Sequence, residues 1–262
     1  MTTLYADPQY WISLYPIIML YAANSSWLRN PSPDVSQEHS HIQLRHFTPV
    51  TTTQLGNLIG RTSRKSCDLD PVPATVLREC LSNLLPIITK IVNVSLTEAV
   101  VPSSLKNASL RPLLKKACLP YDEFSSFCPA SNLSFFSKCV EKVVATQTCV
   151  HVDDNNLGEL YQSAYKKHHS TETALLKVQD DILRAIDNNG CVILLLLDLS
   201  AAFDTVDHCI LLDRLSERFG ITGNALEWFR SYLANRHQVV EVDGHESTSR
   251  ELRCGEIGRA HV

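Results

Sequence analysis

The sequence has no long hydrophobic run, no excess of positive charge and no cysteine framework, and each absence excludes a class of protein. A net charge of −4 excludes a uniformly basic nucleic-acid binder, although a local basic groove remains compatible. Nine cysteines lie far apart without a CxxC pair, which disfavours a disulfide scaffold or a zinc module. Reduced thiols predict an intracellular protein, cytoplasmic or nuclear and not secreted.

The apolar stretch at residues 11–23 is too short to cross a membrane, and Pro16 interrupts it. No Lys or Arg precedes it, so the basic region of a signal peptide is missing. The polar stretch 30–41 carries two prolines and is typical of a linker. We therefore expect residues 1–46 to be a segment of unassigned role that ends in a linker.

What the chain does contain is ordinary for a soluble globular protein, with 44% hydrophobic and 20% charged residues among 262. Cys149, His151 and Asp153 alternate in a way that could place three metal ligands on one face of a strand. Such alternation also arises by chance, and we favour the interpretation without a metal.

Apolar residues at helical spacing predict a series of helices. Thr51–Thr53 would cap a short helix, and residues 77–96 would form one or two buried helices with a kink or break at Pro86. Residues 205–208 would begin a further helix that Gly220 closes.

Strand patterns alternate with these helices. The apolar spacing of residues 224–233 predicts an amphipathic helix. In the following QVVEVDG, apolar and polar residues alternate as in a strand, and the stretch ends in Asp-Gly, a hairpin signal. The uninterrupted apolar run Val192–Leu197 predicts a strand buried on both faces. Helices and strands in this order indicate an α/β or α+β domain.

Two stretches are locally basic. Residues 104–120 contain four cations and no acid, and they could contact phosphate or be a solvated face beside a strand. Lys166, Lys167 and two histidines precede Ser170, a good helix N-cap, and a basic cluster at a helix start suits an anion or a nucleic-acid backbone. The cations of the first stretch are Lys106, Arg111, Lys115 and Lys116.

Asp198 is a single carboxylate directly after the apolar run. It could cap the end of a buried strand, or it could hold a divalent metal in a cleft where strand ends converge. Two-metal nucleotidyl transfer needs at least two carboxylates. Asp204 and Asp207 are near in sequence, but their positions favour local turn and helix-cap roles.

Several motifs, in the same order, closely resemble the reverse transcriptase of non-LTR (LINE-type, jockey-like) retrotransposons. The resemblance covers roughly residues 47–255. It is carried by LLLLDLSAAFDTVDHCILLDRLSERFGITGNALEWFRSYLANR, SCDLDPVPATVLRECL, SLRPLLKK and YQSAYKKHHSTETALLKV.

The resemblance implies an α+β fold: the fingers and partial palm of a right-hand polymerase, truncated before the second catalytic motif. The N-terminal extension and fingers would span residues 47–190 and the partial palm residues 191–255. Asp198 would be a catalytic metal ligand, assisted by the Leu199 carbonyl, and Phe203 would be the aromatic gate under the incoming sugar. Lys115 and Lys116 would approach the triphosphate, and the nucleic acid would meet Gln162, Lys166, Lys167 and Arg111.

Two departures from the family pattern put activity in doubt. Cys128 stands where the family has an arginine that would grip nucleotide phosphate with two donors. After ELRCG the family continues with Val-Pro-Gln-Gly and later an aromatic-Ala-Asp-Asp turn, and neither is in this sequence. Residues 256–262 are instead what GAG-ATC-GGA-AGA-GCA-CAC-GTC encodes, the start of a common sequencing adapter, and we expect them to be translated adapter.

The sequence thus predicts a fragment of an RNA-directed DNA polymerase with RNA template, DNA primer and dNTP as partners, and with neither a membrane nor an obligate protein partner. The two Mg²⁺ ions of the intact family are not expected to assemble with one carboxylate of three, so we expect an inactive chain. A non-catalytic nucleic-acid-binding remnant and a non-functional translated fragment are the alternatives.

Overall fold

The computed structural model describes residues 42–60, 69–70, 72–159, 161–164, 166, 168–196 and 206–255. Within these ranges the helices are α1 Thr52–Gly60, α2 Ala74–Glu79, α3 Leu81–Glu98, α4 Phe135–Asp154, α5 Thr171–Asp187, α6 His208–Glu217 and α7 Gly223–Leu233. The strands are β1 Asn107–Leu114, β2 Phe127–Leu133, β3 Arg236–Val242, β4 His245–Glu246 and β5 Arg250–Leu252. The architecture is α+β, as the sequence predicts.

The strands form one mixed sheet around β1 and β3. β1 pairs antiparallel with β2, placing Arg111 opposite Ala130, and parallel with β3, placing Ser109 opposite Val239. β3 also pairs with β4 and β5 in antiparallel fashion. The β3–β4 turn places Asp243 and Gly244 at positive φ, so the Asp-Gly hairpin predicted from sequence is confirmed.

The core lies where the helices pack together, and its centre is aromatic. Trp228 and Phe229 of α7 are fully buried, and Phe47 packs edge-on against both rings at centroid distances of 5.9 and 5.8 Å. The Trp228 indole N–H donates to Ser95 Oγ on α3 at 3.1 Å. Burial of the large rings and satisfaction of their one polar group hold α7 against α3.

A short segment before α1 is clamped to the loop that follows α6. Leu44 N–H donates to the Gly220 carbonyl at 3.0 Å, and Thr222 N–H donates back to the Leu44 carbonyl at 3.0 Å. Gly220 has a φ of 62°, and a Cβ there would lie 2.1 Å from the Ile42 carbonyl oxygen. Only glycine fits both the backbone conformation and this close approach.

The helices predicted from local patterns are confirmed at α1, α6 and α7, and Asp207 caps α6 by accepting from the Cys209 and Ile210 N–H groups. Of the two alternatives predicted at Pro86, a kink or a break, the break is wrong. Pro86 lies inside α3, and the chain breaks between α2 and α3 at Cys80 instead. Pro86 is the sixth residue of α3, beyond its first turn, so it removes the hydrogen bond that an N–H there would donate to the Ser82 carbonyl, and the helix continues despite this loss.

The prediction of a strand buried on both faces is wrong for residues 192–196, the described part of the run. These residues have no regular secondary structure, and Ile193 and Leu196 are 91% and 82% exposed. Their hydrogen-bonding groups meet none of the described strands. A segment joins a β-sheet only when a neighbouring strand pairs with its backbone, and an apolar sequence alone does not provide that pairing.

The alternating residues 149–153 also fall on a helix rather than a strand. Cys149, His151 and Asp153 lie on α4, where a spacing of two residues points side chains in different directions. His151 Nε2 donates to the Phe219 carbonyl at 2.7 Å, and burial raises the pKa of the Cys149 thiol to about 12. The strand on which the metal alternative depends is therefore not formed at these residues.

Candidate nucleic-acid interface

The β1–β2 hairpin carries three of the cations that the resemblance assigns to nucleic acid or nucleotide. Arg111 lies on β1 and is exposed, but its Nη2 is 2.8 Å from Glu241 Oε1 on β3. Glu241 also accepts from Ser109 Oγ at 3.0 Å. Arg111 is thus paired across two strands, and contact with a phosphate would compete with this carboxylate.

Lys115 and Lys116 lie just beyond β1, where the hairpin begins its loop, and both are exposed. Lys115 Nζ donates to the Ser125 carbonyl at 2.8 Å, and its N–H donates to the Ser126 carbonyl at 2.9 Å. Lys115 therefore helps to close the hairpin, while its ammonium keeps two further donors for a ligand. Lys106, from the same basic stretch, is buried and does not join this surface.

The second basic group precedes α5. Lys166 is exposed, and Gln162 Nε2 donates to the Ala164 carbonyl at 3.1 Å. Ser170 caps the helix as predicted, since its side chain accepts from the Thr173 N–H while Thr173 Oγ1 accepts from the Ser170 N–H. Lys167 lies outside the described residues.

The residues predicted to carry the chemistry, Asp198, Leu199 and Phe203, also lie outside the described residues. Within the part of the chain that is described, no group of three or more His, Cys, Asp or Glu side chains is placed to hold a metal ion.

A buried polar cluster at the junction of α4, α7 and β3 was not found by sequence reasoning. Arg236 is fully buried, with its guanidinium carbon 4.5 Å from the centre of the Tyr232 ring. The Tyr232 hydroxyl donates to Glu141 on α4. Burial raises the pKa of the Glu141 carboxyl, and the charge of Arg236 and the Tyr232 hydrogen bond lower it in part.

Two more ionisable groups lie within electrostatic range of Arg236. Lys106 Nζ donates to the Ala234 carbonyl at 3.2 Å, and its pKa is lowered by burial and by Arg236. His208 Nε2 donates to the Gly255 carbonyl at 3.3 Å. The pKa of the His208 imidazole is lowered, and burial is the main cause. An isolated Arg or Glu gives no sequence signal for burial, because both residue types are usually exposed.

Sequence comparison connects this architecture to known proteins. The chain is 26% identical over 210 residues to the RNA-directed DNA polymerase from mobile element jockey of Drosophila melanogaster, and this match covers 80% of the chain. It is 25% identical over 192 residues, 73% of the chain, to a protein of the same species named "Probable RNA-directed DNA polymerase from transposon BS". The chain is therefore similar to RNA-directed DNA polymerases from mobile elements.

This relationship confirms the resemblance to non-LTR retrotransposon polymerases predicted from the motifs. The chain spans less than a quarter of the length of these relatives, 23% of the first and 21% of the second. No family model matches the chain. Within the described residues, no helix combines the length and the apolar character needed to cross a membrane.

Proposed function

We propose that the chain is a fragment of the RNA-directed DNA polymerase of a non-LTR retrotransposon. The single observation that carries this proposal is the similarity to the jockey polymerase over 80% of the chain. Residues 47–190 would be the N-terminal extension and fingers and residues 191–255 the first part of the palm. The substrates would be dNTP, a DNA primer and an RNA template.

In this proposal each site residue predicted from the sequence has one role. Asp198, with the Leu199 carbonyl, would hold catalytic Mg²⁺, which supplies charge stabilisation for nucleotidyl transfer when bound. Phe203 would lie under the sugar, and Lys115 and Lys116 would approach the triphosphate. Because the further carboxylates of the family motif are not in this sequence, we expect no polymerisation by residues 1–262 alone.

A chimera tests the proposal directly. We would replace the matched region of the jockey polymerase with residues 47–255 and measure primer extension on an RNA template. We expect template-dependent incorporation, and its loss in the Asp198→Asn variant. Asp213→Asn, which changes an exposed carboxylate on α6, serves as the matched control and should leave incorporation unchanged. A folded chimera whose activity is insensitive to Asp198→Asn would contradict the assignment of Asp198.

Cys128 offers a second test in the same chimera. It lies on β2 opposite Leu113, where the family has arginine. A guanidinium at this position could bind nucleotide phosphate with two hydrogen bonds, which a thiol cannot do. We expect Cys128→Arg to lower the KM for dNTP, whereas Cys128→Lys should give a smaller effect. Equal effects of both substitutions would point to charge alone.

A non-catalytic nucleic-acid-binding remnant is the second candidate, favoured by the exposure of Lys115, Lys116 and Lys166. We would measure RNA affinity of the whole chain by fluorescence anisotropy over a range of salt. Neutralising these lysines and Lys167 to glutamine should lower the affinity and reduce the salt slope by up to about 0.7 for each lost phosphate contact. Lys90→Gln, an exposed lysine on α3, is the control.

The Arg111–Glu241 pair refines this experiment. Since Glu241 neutralises Arg111, we expect Arg111→Gln to change RNA affinity less than loss of Lys116 does. Glu241→Gln should raise the affinity, because it releases the guanidinium for phosphate. If the salt dependence of RNA affinity is unchanged in Glu241→Gln, Arg111 links β1 to β3 and does not contact nucleic acid.

A further inference from the structure

The loop that joins β1 to β2, residues 115–126, exposes two aromatic rings to water. The Phe124 side chain is 97% exposed and that of Tyr121 is 76% exposed. Single apolar residues are common on protein surfaces, but two large exposed rings in one short loop are typical of a contact with a partner. The structure of the loop and its charges indicate what kind of partner this is.

Hydrogen bonds fix the backbone on which Phe124 is carried. Phe124 begins a 3₁₀ turn that ends at Ser126, and the Ser126 N–H donates to the Glu123 carbonyl at 3.0 Å. Lys115 closes the loop at this turn, because its Nζ donates to the Ser125 carbonyl at 2.8 Å and its N–H donates to the Ser126 carbonyl at 2.9 Å. Phe124 is therefore the residue next to the carbonyl that binds the Lys115 ammonium.

A neighbouring ring positions Tyr121. Its ring meets that of Phe127, the first residue of β2, at a centroid distance of 6.2 Å and an interplanar angle of 67°. This contact is edge-on and covers little of the tyrosine, so most of the Tyr121 side chain remains in water. A ring that is held in place and still exposed can stack on a planar partner with little further loss of side-chain entropy.

The charges of the loop are of both signs and lie in different parts of it. Lys115 and Lys116 are exposed at its beginning, whereas Asp122 and Glu123 are exposed between the two aromatic residues. A phosphate is attracted by the two ammonium groups and repelled by the two carboxylates. A matching ligand therefore presents an anionic edge to the lysines and an uncharged planar surface to the rings. A nucleic-acid strand with unpaired bases has both.

We propose that Tyr121 and Phe124 stack on the bases of an unpaired nucleic-acid strand whose phosphates contact Lys115 and Lys116. The bases of a duplex already stack on one another, so the ligand is a single strand. A lipid surface also attracts aromatic rings and lysines, but it would bring the two carboxylates of the loop into the membrane interface at a desolvation cost. The proposal rests on the nucleic-acid binding proposed above for these lysines, and adds the kind of strand and the residues that contact its bases.

Binding of an unstructured RNA oligonucleotide to the whole chain, measured by fluorescence anisotropy over a range of salt, tests the proposal. We expect Phe124→Leu and Tyr121→Leu each to weaken binding by at least about fivefold, because leucine is apolar but has no planar face. The salt slope should remain that of wild type, since neither ring carries a charge. Phe124→Tyr, which keeps a ring, should retain the wild-type affinity. Val150→Ala, at an exposed apolar residue of α4, is the control.

The same RNA annealed to its complement distinguishes stacking from a general apolar contact. Phe124→Leu should leave duplex affinity unchanged, and an equal loss for duplex and single strand would overturn the proposal. Unchanged single-strand affinity in both leucine variants would overturn the stacking surface alone, and the nucleic-acid-binding candidate would stand on its lysines. A wild-type chain that binds no RNA would overturn both, whereas the chimera decides the polymerase assignment separately. Binding to phosphatidylserine vesicles that depends on the rings, without ring-dependent RNA binding, would assign the loop to a membrane instead.

Discussion

At the residue scale, the structure is unusual for the number of ionisable groups that it buries around Arg236. Glu141 and His208 are each 7% exposed, and both have shifted pKa values because burial disfavours their charged forms. The carboxyl pKa is raised above 4.5 and the imidazole pKa is lowered below 6.5. The two groups therefore make the stability of the fold depend on pH in opposite directions.

Substitution of these residues should separate the two effects. Folded Glu141 holds its proton at pH values where the unfolded chain has lost it, so its contribution to stability is largest below pH 4.5 and is lost as the pH rises toward the folded pKa. Glu141→Gln should therefore gain in urea midpoint relative to wild type as the pH is raised above 4.5. A midpoint difference that is constant between pH 4 and 7 would contradict this.

His208 should behave in the opposite way. Its folded pKa lies below 6.5, so the unfolded chain binds the proton first and stability is lost as the pH falls from 6.5 toward the folded pKa. We expect His208→Gln to gain in urea midpoint relative to wild type as the pH is lowered through this range. When the urea midpoints of Glu141→Gln and His208→Gln are measured over the same pH range, each variant is the control for the other.

At the scale of elements, the segment before α1 shows how one glycine joins two distant parts of the chain. Gly220 accepts from Leu44 and approaches the Ile42 carbonyl too closely for any side chain. Gly220→Ala should lower the free energy of unfolding by more than the roughly 1–2 kcal/mol that the left-handed conformation costs a non-glycine residue. Denaturant unfolding measures the loss.

Gly244 provides a matched control for this substitution. It also has a positive φ, of 78°, but a Cβ there would meet no atom within 4 Å. Gly244→Ala should therefore show the conformational cost without the clash, and Gly220→Ala should exceed it. Equal losses in the two variants would mean that the contact with residue 42 does not contribute.

At the scale of the whole molecule, α5 and residues 192–196 expose several large apolar side chains. Leu176 and Leu183 on α5 are 63% and 51% exposed, and Leu195 is 74% exposed. Exposed apolar surface of this kind promotes association with other chains.

Two lysines should relieve this tendency. We expect Leu176→Lys with Leu195→Lys to reduce binding of a hydrophobic dye and to raise the monomer fraction in size-exclusion chromatography. Ile210→Lys is the control, because Ile210 is 57% exposed on α6, outside this surface. If the wild-type chain is already monodisperse and binds no dye, the prediction is wrong.

Local sequence was sufficient wherever local chemistry decides the conformation. The caps at Ser170 and Asp207, helices α1, α6 and α7, and the Asp-Gly hairpin depend on residues that are neighbours in the chain. The relationship to mobile-element polymerases was also evident in the sequence, since motif order survives without any knowledge of contacts. Asp198, Leu199 and Phe203 lie outside the described residues, so their roles remain predictions.

Tertiary structure alone decided which residues are buried and which partners they meet. Lys106 and Arg236 belong to residue types that usually face water, yet both are buried next to the C-terminal end of α7. Conversely, residues 192–196 are apolar but exposed, because burial of a strand requires a neighbour that pairs with its backbone. The hydrophobic pattern of a segment determines whether its burial is favourable. Only the tertiary contacts determine whether the segment is buried.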